Sequence, residues 1–581
     1  MTTHQLANAF EALEKTASRL EMTRLLADLF SQATPFEAEI IAHFALGELC
    51  APYKTVQFNL AEKNVVPAIA HFLAVPASDI MAYAKKKGDL GLVFMDYAWK
   101  KEKNLSLKEL YDALMELALI TGTGSQEKKS DMLQDLFSCI EPLCAKFVVR
   151  IIIGKLRLGF SDMTIIDALS WMLSGDKSYR NDIENAYNIC ADIGYIARLV
   201  KEKGMGGVLA ASIELGVPIR PAAAERLPTA QAIFEKLGHC VAQLKLDGFR
   251  LQIHIDKRHK EPVVHFFSRN LLDMSFMFPD LKEIVYALDA QTLIVEGEAI
   301  CFDQNTGSFL PFQETVKRKR KHGIKEAAQD FPLKIYLFDL LYKNGQSWLD
   351  KNHEERRKEL MRTVQSVNSD LVQVDEEKVI NTAHELEGYF IDAIDKGLEG
   401  LVVKRIDAPY KPGKRNFNWI KLKRQEEGHL EDTLDCVILG YYAGQGKRAA
   451  FKIGAFLVGI YNKKADCFQT IAKVGTGLTD DEWKELKKRC DSFAVSHKPH
   501  NVMCAKELAP DVWVSPEIVV LIRADEITIS PVHSANKTET ELGYALRFPR
   551  FMGYRPDKSS YDATTSDEID HLYRDQKKKL S

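Results

Sequence analysis

Apolar residues recur at intervals of three and four positions along the first part of the chain, the spacing that aligns one face of an α-helix. The first such series is Leu6, Phe10, Leu13, Ala17 and Leu20. Ser106 and Glu109 have the spacing of a capping box and precede a second apolar series. The pattern predicts an all-α domain over residues 1–215.

The pattern changes to the period-two alternation of strands after a proline-rich linker, residues 216–228. In the clearest strand, apolar Leu251, Ile253 and Ile255 alternate with polar Gln252, His254 and Asp256. Further strands are predicted at Leu293–Ile300, Leu333–Tyr342 and Leu401–Arg405, with a helix at His353–Val364. We therefore predict a mixed α+β domain over residues 216–428.

A polar joint, Arg424–Thr433, ends this region, and short strands with glycine turns follow it. The strands are Asp435–Gly440, Phe456–Tyr461 and Ile518–Ile522. Short strands in series are typical of a small β-barrel, which we predict over residues 429–581 with a basic C-terminal tail. The predicted fold class is thus multidomain: all-α, then α+β, then β-barrel.

Composition agrees with a folded protein of several domains. A chain of 581 residues corresponds to about four domains, or three if one is large. Hydrophobic residues at 46% and charged residues at 27% exclude a disordered, collagen-like or coiled-coil chain. The formal net charge of −3 means that any basic surface must be local.

The sequence favours a reduced cytoplasmic compartment. We find no apolar run near the roughly 18 residues that span a bilayer, and no basic and apolar leader at the start. The ten cysteines are scattered and include no Cys-x-x-Cys, so neither a four-cysteine zinc site nor a disulfide framework is predicted.

The segment Lys245-Leu-Asp247-Gly248-Phe-Arg250 carries candidate chemistry at the end of a predicted strand. A lysine attacks phosphorus only as the free amine, so its pKa of ~10.4 must be lowered by burial or by other cations. Asp247 is suited to orient the amine, and Gly248 to make a tight turn. In isolation, a surface lysine beside a β-turn explains this segment better.

Other residues downstream fit nucleotidyl transfer. Glu298 and Glu399 are carboxylates on or beside apolar strands, where they suit Mg²⁺ or a structural ion pair. Phe338 fits base stacking and strand core equally well. Lys421 and Lys423 share one strand face. Together with Arg415 they would form a cationic pocket around phosphate, although each alone reads as a solvated charge.

The basic runs Lys317–Lys321 and Lys404–Arg424 point to phosphate contacts. A further basic segment lies in the helical region. Gly154, Lys155, Arg157 and Gly159 precede a predicted helix that begins near Ser161. Glycines let the backbone approach a phosphate and a helix N-terminus favours anions, so Lys155 and Arg157 are candidate phosphate contacts. An ordinary helix–helix connection explains the segment equally well.

The ordered set of these segments resembles the covalent nucleotidyltransferases, and more narrowly the ATP-dependent DNA ligases of the archaeal and eukaryotic replicative type. The set is Lys-x-Asp-Gly-x-Arg (245–250), Ser-Arg-Asn (268–270), Gly-Glu (297–298), Phe-Asp (338–339), Glu-Gly-Leu-Val-Val-Lys (399–404), Lys-x-Lys (421–423) and Arg-x-Asp-Lys (555–558). Residues 87–93 and 154–159 resemble that family's helical DNA-binding domain, which implies that Lys155 and Arg157 bind DNA. Residues 311–313 and 473–477 resemble its adenylation and OB-fold domains. The likeness covers nearly the whole chain.

The resemblance implies a fold, an activity and partners. The domains would be a helical DNA-binding domain, an adenylation domain and an OB-fold domain. The activity would be sealing of 5′-phosphate/3′-hydroxyl nicks in duplex DNA during replication, repair and recombination, with ATP as adenylyl donor and Mg²⁺ (or Mn²⁺). The protein would be a monomer in the cytoplasm, associated with the nucleoid. Gln5–Phe10 is too weak to predict a sliding-clamp partner.

The resemblance also implies residue roles. Lys245 would carry AMP, Arg250 and Arg269 would contact the ribose and the 5′-phosphate, and Phe338 would stack on adenine. Glu298 would bind ribose or metal, and Glu399 metal. The predicted phosphate-holding residues are Arg415, Lys421 and Lys423, and those that engage pyrophosphate are Arg555, Asp557 and Lys558.

Two departures from the family pattern matter. Gln243 stands where the family usually has a glutamate that accepts from the adenine amino group. An amide can also donate toward guanine O6, which predicts a looser choice between ATP and GTP. The linker reads Pro221-Ala-Ala-Ala224 where Pro-Met-Leu-Ala is common, which we expect to alter packing rather than chemistry.

Three alternatives remain at this point. An mRNA capping guanylyltransferase or RNA ligase is disfavoured by the long helical N-terminal region. A non-catalytic DNA-binding protein is disfavoured because Lys245, Glu298, Glu399 and Lys421 are all present. An NAD⁺-dependent ligase is disfavoured because the sequence has no four-cysteine zinc cluster.

Overall fold

The computed structural model describes residues 1–302, 309–310, 315, 317–318, 323–365, 371–396, 398–423, 433–538 and 540–578. Several predicted features therefore lie outside the described residues: the segment 311–313, most of the basic run 317–321, the polar joint apart from Thr433, and the last three residues.

Helices occupy the N-terminal region and recur between strands farther along. They are α1 Thr3–Lys15, α2 Arg19–Gln32, α3 Pro35–Ala45, α4 Glu62–Leu73, α5 Ala77–Lys87, α6 Leu107–Leu119, α7 Ser125–Ser138, α8 Pro142–Ile152, α9 Asp162–Ser174, α10 Arg180–Ile189, α11 Ile193–Leu209, α12 Ala230–Leu237, α13 Ile324–Asp330, α14 His353–Gln365, α15 Ala383–Asp395, α16 Asp480–Ser492 and α17 Ser566–Lys578.

Strands begin only after the helical region. They are β1 Ala223–Arg226, β2 Cys240–Lys245, β3 Phe249–Asp256, β4 Val263–Ser268, β5 Thr292–Cys301, β6 Leu333–Lys343, β7 Gln346–Ser347, β8 Val372–Val374, β9 Glu377–Ile380, β10 Gly400–Arg405, β11 Arg415–Lys423, β12 Leu434–Tyr442, β13 Ala455–Asn462, β14 Cys467–Val474, β15 Ala494–Val495, β16 Val502–Met503, β17 Val512–Val514, β18 Val519–Arg523, β19 Glu526–Ser530, β20 Gly543–Arg547 and β21 Arg550–Tyr554.

The chain forms two compact units, one of residues 1–72 with 98–424 and one of residues 73–97 with 425–581. The helical part of the first unit confirms the predicted helical class. The first apolar series holds only for Leu6, Phe10 and Leu13, because α1 ends at Lys15, Ala17 lies exposed between two helices and Leu20 is 46% exposed on α2. The predicted capping box at Ser106 and Glu109 starts α6, and a similar box starts α1 at Thr2. Such boxes satisfy backbone N–H groups that a helix leaves unpaired at its start.

The strands of the first unit form two sheets. One has the order β1-β11-β10-β2-β9, and the other has the order β4-β3-β5-β6-β7 with β8 beside β6. Each sheet has its own apolar core, and α12 and α15 pack on the first sheet. A smaller cluster around Ile219, Tyr410 and Trp419 includes residues of the linker and of both sheets. This arrangement is the predicted α+β region.

The second unit is built on a sheet with the order β15-β17-β12-β13-β14-β16, in which β18 joins β12 to β21. The hairpin β19–β20 is separate, and Trp483 of α16 lies in the apolar core. The predicted strands after the joint are confirmed as β12, β13 and β18.

No single helix among the described residues is long and apolar enough to cross a membrane. A broken pair, Glu62–Leu73 with Ala77–Lys87, meets that test by length and composition alone.

Candidate active site

A cavity of about 490 Å³ lies in the first unit and is lined by β2, β10 and β11 of one sheet and by β3, β5 and β6 of the other. It collects all the predicted nucleotide and metal residues: Gln243, Lys245, Arg250, Arg269, Glu298, Phe338, Glu399, Arg415, Lys421 and Lys423. Residues separated by up to 180 positions along the sequence thus share one pocket.

Strand register explains how three of these residues meet. β10 pairs with both β2 and β11, so that Gly400 lies opposite Lys245 on one side and Lys423 on the other. Glu399 immediately precedes Gly400, and its two carboxylate oxygens bind the amines of Lys245 and Lys423. One carboxylate therefore holds two lysines at the end of the sheet.

The pKa of Lys245 is lowered from its usual 10.5. Burial is the largest cause, and Arg269 and Arg250 add to it, while Glu298 and Asp247 act in the opposite direction. The sequence argument required a pKa lowered by burial or by other cations. The lowered pKa is confirmed, and burial contributes more to it than the cations do. The lowered pKa makes the free amine easier to form near neutral pH.

The Asp247-Gly248 turn lies in the wall of the cavity, with Asp247 exposed and Gly248 half-buried. A Cβ atom on Gly248 would lie 2.3 Å from the carbonyl oxygen of Ala299, so only glycine fits. This close approach lets the Gly248 N–H donate to Glu298 Oε1 at 3.2 Å. The turn therefore fixes the carboxylate of Glu298 beside the lysine.

Burial raises the pKa of Glu298 from 4.5 to about 7, although Lys245 and Arg250 act to lower it. A buried carboxyl with a raised pKa is stabilised in its ionised form by a nearby cation. Among the described residues, no group of three or more His, Cys, Asp or Glu side chains converges as a metal site. Mg²⁺ commonly uses one or two carboxylates with phosphate oxygens, so Glu298 and Glu399 fit such an ion only together with a nucleotide.

Replacing Glu298 by glutamine should flatten the pH dependence of stability. A carboxyl with a folded pKa of about 7 holds its proton more tightly folded than unfolded, so stability falls as pH rises from 4.5 to 7. Glutamine does not titrate. The wild type should therefore lose about 1–3 kcal/mol more than the variant between pH 5 and pH 8, measured by urea unfolding. Glu235→Gln, at an exposed site, should follow the wild type; equal slopes for all three would contradict the assignment.

Arg250 has partners that the sequence did not reveal. Its Nη2 donates to both carboxylate oxygens of Glu296 at 3.0 and 2.9 Å, and its Nη1 donates to Ala222 O at 3.0 Å. Tyr410 donates to the same glutamate at 2.8 Å and accepts from the Ala222 N–H at 2.8 Å. Arg250 lines the pocket, but its guanidinium is engaged mainly by protein groups, and Glu296 positions it.

Phe338 lies in the pocket wall, with its ring edge-on to Trp419 at a centroid distance of 6.2 Å. Two cations face the ring, Arg250 at 5.4 Å and Lys404 at 5.2 Å from its centroid. Burial lowers the pKa of Lys404 to about 8. The ring is accessible from the cavity, as base stacking requires, and Lys404 and Trp419 are wall residues that sequence reasoning missed.

Three predicted phosphate contacts have the exposure expected of them. Arg269 and Arg415 are exposed at the pocket mouth, and Lys421 is half-buried there. Burial lowers the pKa of Lys421, and Arg415 and Lys245 lower it further. Lys421 lies opposite Val402 while Lys423 lies opposite Gly400, as the period-two argument predicted.

Not every predicted basic residue is available to DNA. Arg318 and Lys404, which the sequence placed in basic runs, are each only 1% exposed. Arg318 binds the Asp280 carboxylate. Lys155 is exposed in the turn after α8, with its amine 3.7 Å from Glu62. The backbone of Arg157 is left-handed, with φ of 64°.

The three predicted pyrophosphate residues cluster within the second unit. Arg555 donates to Asp557 at 3.0 and 2.8 Å and to Asp435 Oδ1 at 2.9 Å. Lys558 donates to Asp435 Oδ2 at 2.7 Å. Asp435, which sequence reasoning did not single out, therefore holds both cations.

Family models match three parts of the chain. A DNA ligase N-terminus model matches residues 2–170, an ATP-dependent DNA ligase domain matches residues 221–423, and an ATP-dependent DNA ligase C-terminal region matches residues 449–558. A solved structure named "Pmar-Lig_PreS3" matches 95% of this chain and 99% of its own, with a TM-score of 0.56 and 18% identity, and so supports the shared fold.

Curated relatives match along nearly the whole chain. The "Probable DNA ligase" of Dictyoglomus turgidum is 45% identical over 576 residues, which cover 99% of this chain and 98% of that one. The "DNA ligase 2" of Korarchaeum cryptofilum is 37% identical over 584 residues, covering 99% and 97%. The pocket and these matches lead to one conclusion: the chain belongs to the ATP-dependent DNA ligase family.

Proposed function

We propose that this chain seals nicks in duplex DNA through a covalent Lys245–AMP intermediate. In the first step the deprotonated Lys245 amine attacks the α-phosphorus of ATP, a phosphorus–nitrogen bond forms, and the bond to pyrophosphate breaks. AMP then passes to the DNA 5′-phosphate, and the 3′-hydroxyl displaces AMP to form the phosphodiester. Negative charge develops on phosphoryl oxygens in each transfer.

The chain's own cations would stabilise that charge. Arg269, Arg415 and Lys421 line the cavity that contains Lys245. Lys423 shares Glu399 with the nucleophile, so the carboxylate keeps two amines at fixed positions. Preorganised cations in a partly dehydrated site are the main source of rate enhancement in phosphoryl transfer. When bound, Mg²⁺ (or Mn²⁺) would supply further positive charge from a site held by Glu298 and Glu399.

The observation that carries the proposal is the partly buried Lys245, with its lowered pKa, in a pocket of cations. The test is to incubate the protein separately with labelled ATP, GTP and NAD⁺ and to look for a label that survives a denaturing gel. A covalent adduct from ATP, with pyrophosphate released, is expected. No adduct from any donor would overturn the proposal.

We propose the remaining properties from the family likeness. The helical region, including Lys155 and Arg157, would bind the duplex around the nick, and the second unit would be an OB-fold domain. Its β12 pairs with β13, β17 and β18, the branched pairing of a strongly bent sheet. The protein would act as a monomer in the cytoplasm at the nucleoid, and a clamp partner stays unassigned.

DNA binding should weaken steeply with salt and depend little on sequence. Each phosphate that the protein neutralises steepens the plot of log affinity against log salt by about 0.9. Lys155→Ala should reduce that slope by about one, whereas Lys404→Met, at a buried site, should leave the slope unchanged. Fluorescence anisotropy of nicked duplexes with unrelated sequences, titrated with KCl, measures both effects. A flat titration or a strong sequence preference would contradict this prediction.

A further inference from the structure

Gln243 stands where the family usually has glutamate, and its neighbours determine which side of its amide faces the pocket. The side chain is 1% exposed. Its Nε2 donates to Glu377 Oε2 at 2.7 Å and is 3.4 Å from the backbone oxygen of Phe338. Both neighbours are acceptors, so the NH₂ end must face them, because a carbonyl oxygen there would be repelled.

Glu377 is a carboxylate with no proton to donate. Burial raises its pKa, but the hydrogen bond from His353 and the nearby charges of His353, Arg357 and Lys404 outweigh burial and lower the pKa overall. His353 Nε2 lies 2.7 Å from the same Oε2 that accepts from Gln243. An ionised carboxylate accepts only, so a flipped amide would bring two oxygens together.

The amide carbonyl of Gln243 is therefore directed away from Glu377. Gln243 lines the nucleotide cavity, and within the described part of the chain no donor binds its carbonyl oxygen. An acceptor oxygen that faces the cavity at this position would bind a purine 6-amino group and repel a 6-oxo group. The NH₂ group that would donate to guanine O6 is already bound to Glu377. The hydrogen bond therefore removes the reason for the looser choice between ATP and GTP that the sequence predicted.

We propose that Glu377 is a positioning residue for base selection: it fixes the Gln243 amide so that the amide reads a purine 6-amino group as a carboxylate would. The inference rests on the proposed function, since it assumes that the pocket holds the base of ATP. It makes Gln243 and Glu377, which lie opposite each other on β2 and β9, a matched donor–acceptor pair.

Because Gln243 is paired with Glu377, a substitution at one of the two positions should be compensated by a substitution at the other. Glutamate at position 243 would place two carboxylates in contact, so Gln243→Glu should impair this chain rather than improve it. A glutamine at position 377 would restore the hydrogen bond with donor and acceptor exchanged. The double variant Gln243→Glu/Glu377→Gln should therefore behave like the wild type, whereas either substitution alone should not.

The experiment measures single-turnover Lys245 adduct formation with ATP, GTP and purine riboside triphosphate, which lacks the 6-amino group. The variants are Glu377→Leu, Gln243→Glu and the double variant Gln243→Glu/Glu377→Gln. The control is Glu376→Gln, because Glu376 is exposed and contacts Tyr389 of α15 rather than the cavity. The ratio of the adduct-formation rates with two nucleotides does not depend on the fraction of the enzyme that is folded.

Glu377→Leu should reduce the preference for ATP over each of the other two nucleotides by about tenfold or more. Gln243→Glu should slow the ATP reaction by about tenfold or more, and the double variant should recover it to within about threefold. The control should match the wild type. Unchanged ratios in Glu377→Leu, or equal rates for Gln243→Glu and the double variant, would overturn the inference. Absence of any adduct in the wild type would instead overturn the proposed function.

Discussion

An alanine at position 245 should abolish the covalent nucleotide adduct, a loss of more than about a thousandfold. The amine itself forms the bond to phosphorus, so no neighbour can substitute for it at the same position. Lys423 shares the Glu399 carboxylate with Lys245, but its amine binds the other carboxylate oxygen. The measurement is single-turnover labelling with ATP, followed by denaturing electrophoresis.

The same variant should still fold and bind nicked DNA. Removing the Lys245 amine leaves Glu399 paired with Lys423, so no carboxylate in this pair becomes an isolated buried charge. Lys423→Ala is the matched control, and it should slow labelling without abolishing it. Lys245→Ala should also retain much of its sealing activity on a nick that already carries AMP. A labelled adduct in Lys245→Ala would show that the nucleophile is another residue.

The strands and helices around the site could be predicted because their apolar periodicity is a local property of the sequence. Which face of a strand is buried could not always be predicted. Gln252 and His254 alternate with apolar residues as if exposed, yet they are 5% and 1% exposed. The linker covers them, since Gln252 bonds to both backbone groups of Ile219 and His254 accepts from the Gly216 N–H.

The catalytic motifs were predictable as an ordered series, but the residues that position them were not. Glu296 and Glu377 meet Arg250 and Gln243 only through strand pairing, over sequence separations of 46 and 134 residues. A single sequence carries no signal for such pairs. The clusters of basic residues likewise gave a wrong prediction of exposure, because neither Arg318 nor Lys404 reaches the surface.

Alanine at position 558 should abolish self-adenylation yet spare the sealing of a nick whose 5′-phosphate already carries AMP. Pyrophosphate leaves only in the first step, so a cation that serves it has no role in the later ones. Loss of one such charge from the transition state should cost about a hundredfold to a thousandfold in adduct formation. Single-turnover assays with ATP, and separately with the pre-adenylated nick, measure the two rates.

Asp435 provides the control that separates chemistry from folding, because it holds both Lys558 and Arg555. If Lys558 serves only to anchor its unit, Asp435→Asn and Lys558→Ala should lower the unfolding midpoint alike and slow both assays alike. If it serves pyrophosphate, Asp435→Asn should leave adduct formation within about threefold of the wild type, since the lysine remains and is held less tightly. Equal defects of Lys558→Ala in both assays would therefore assign the residue to DNA binding or to stability rather than to the first step.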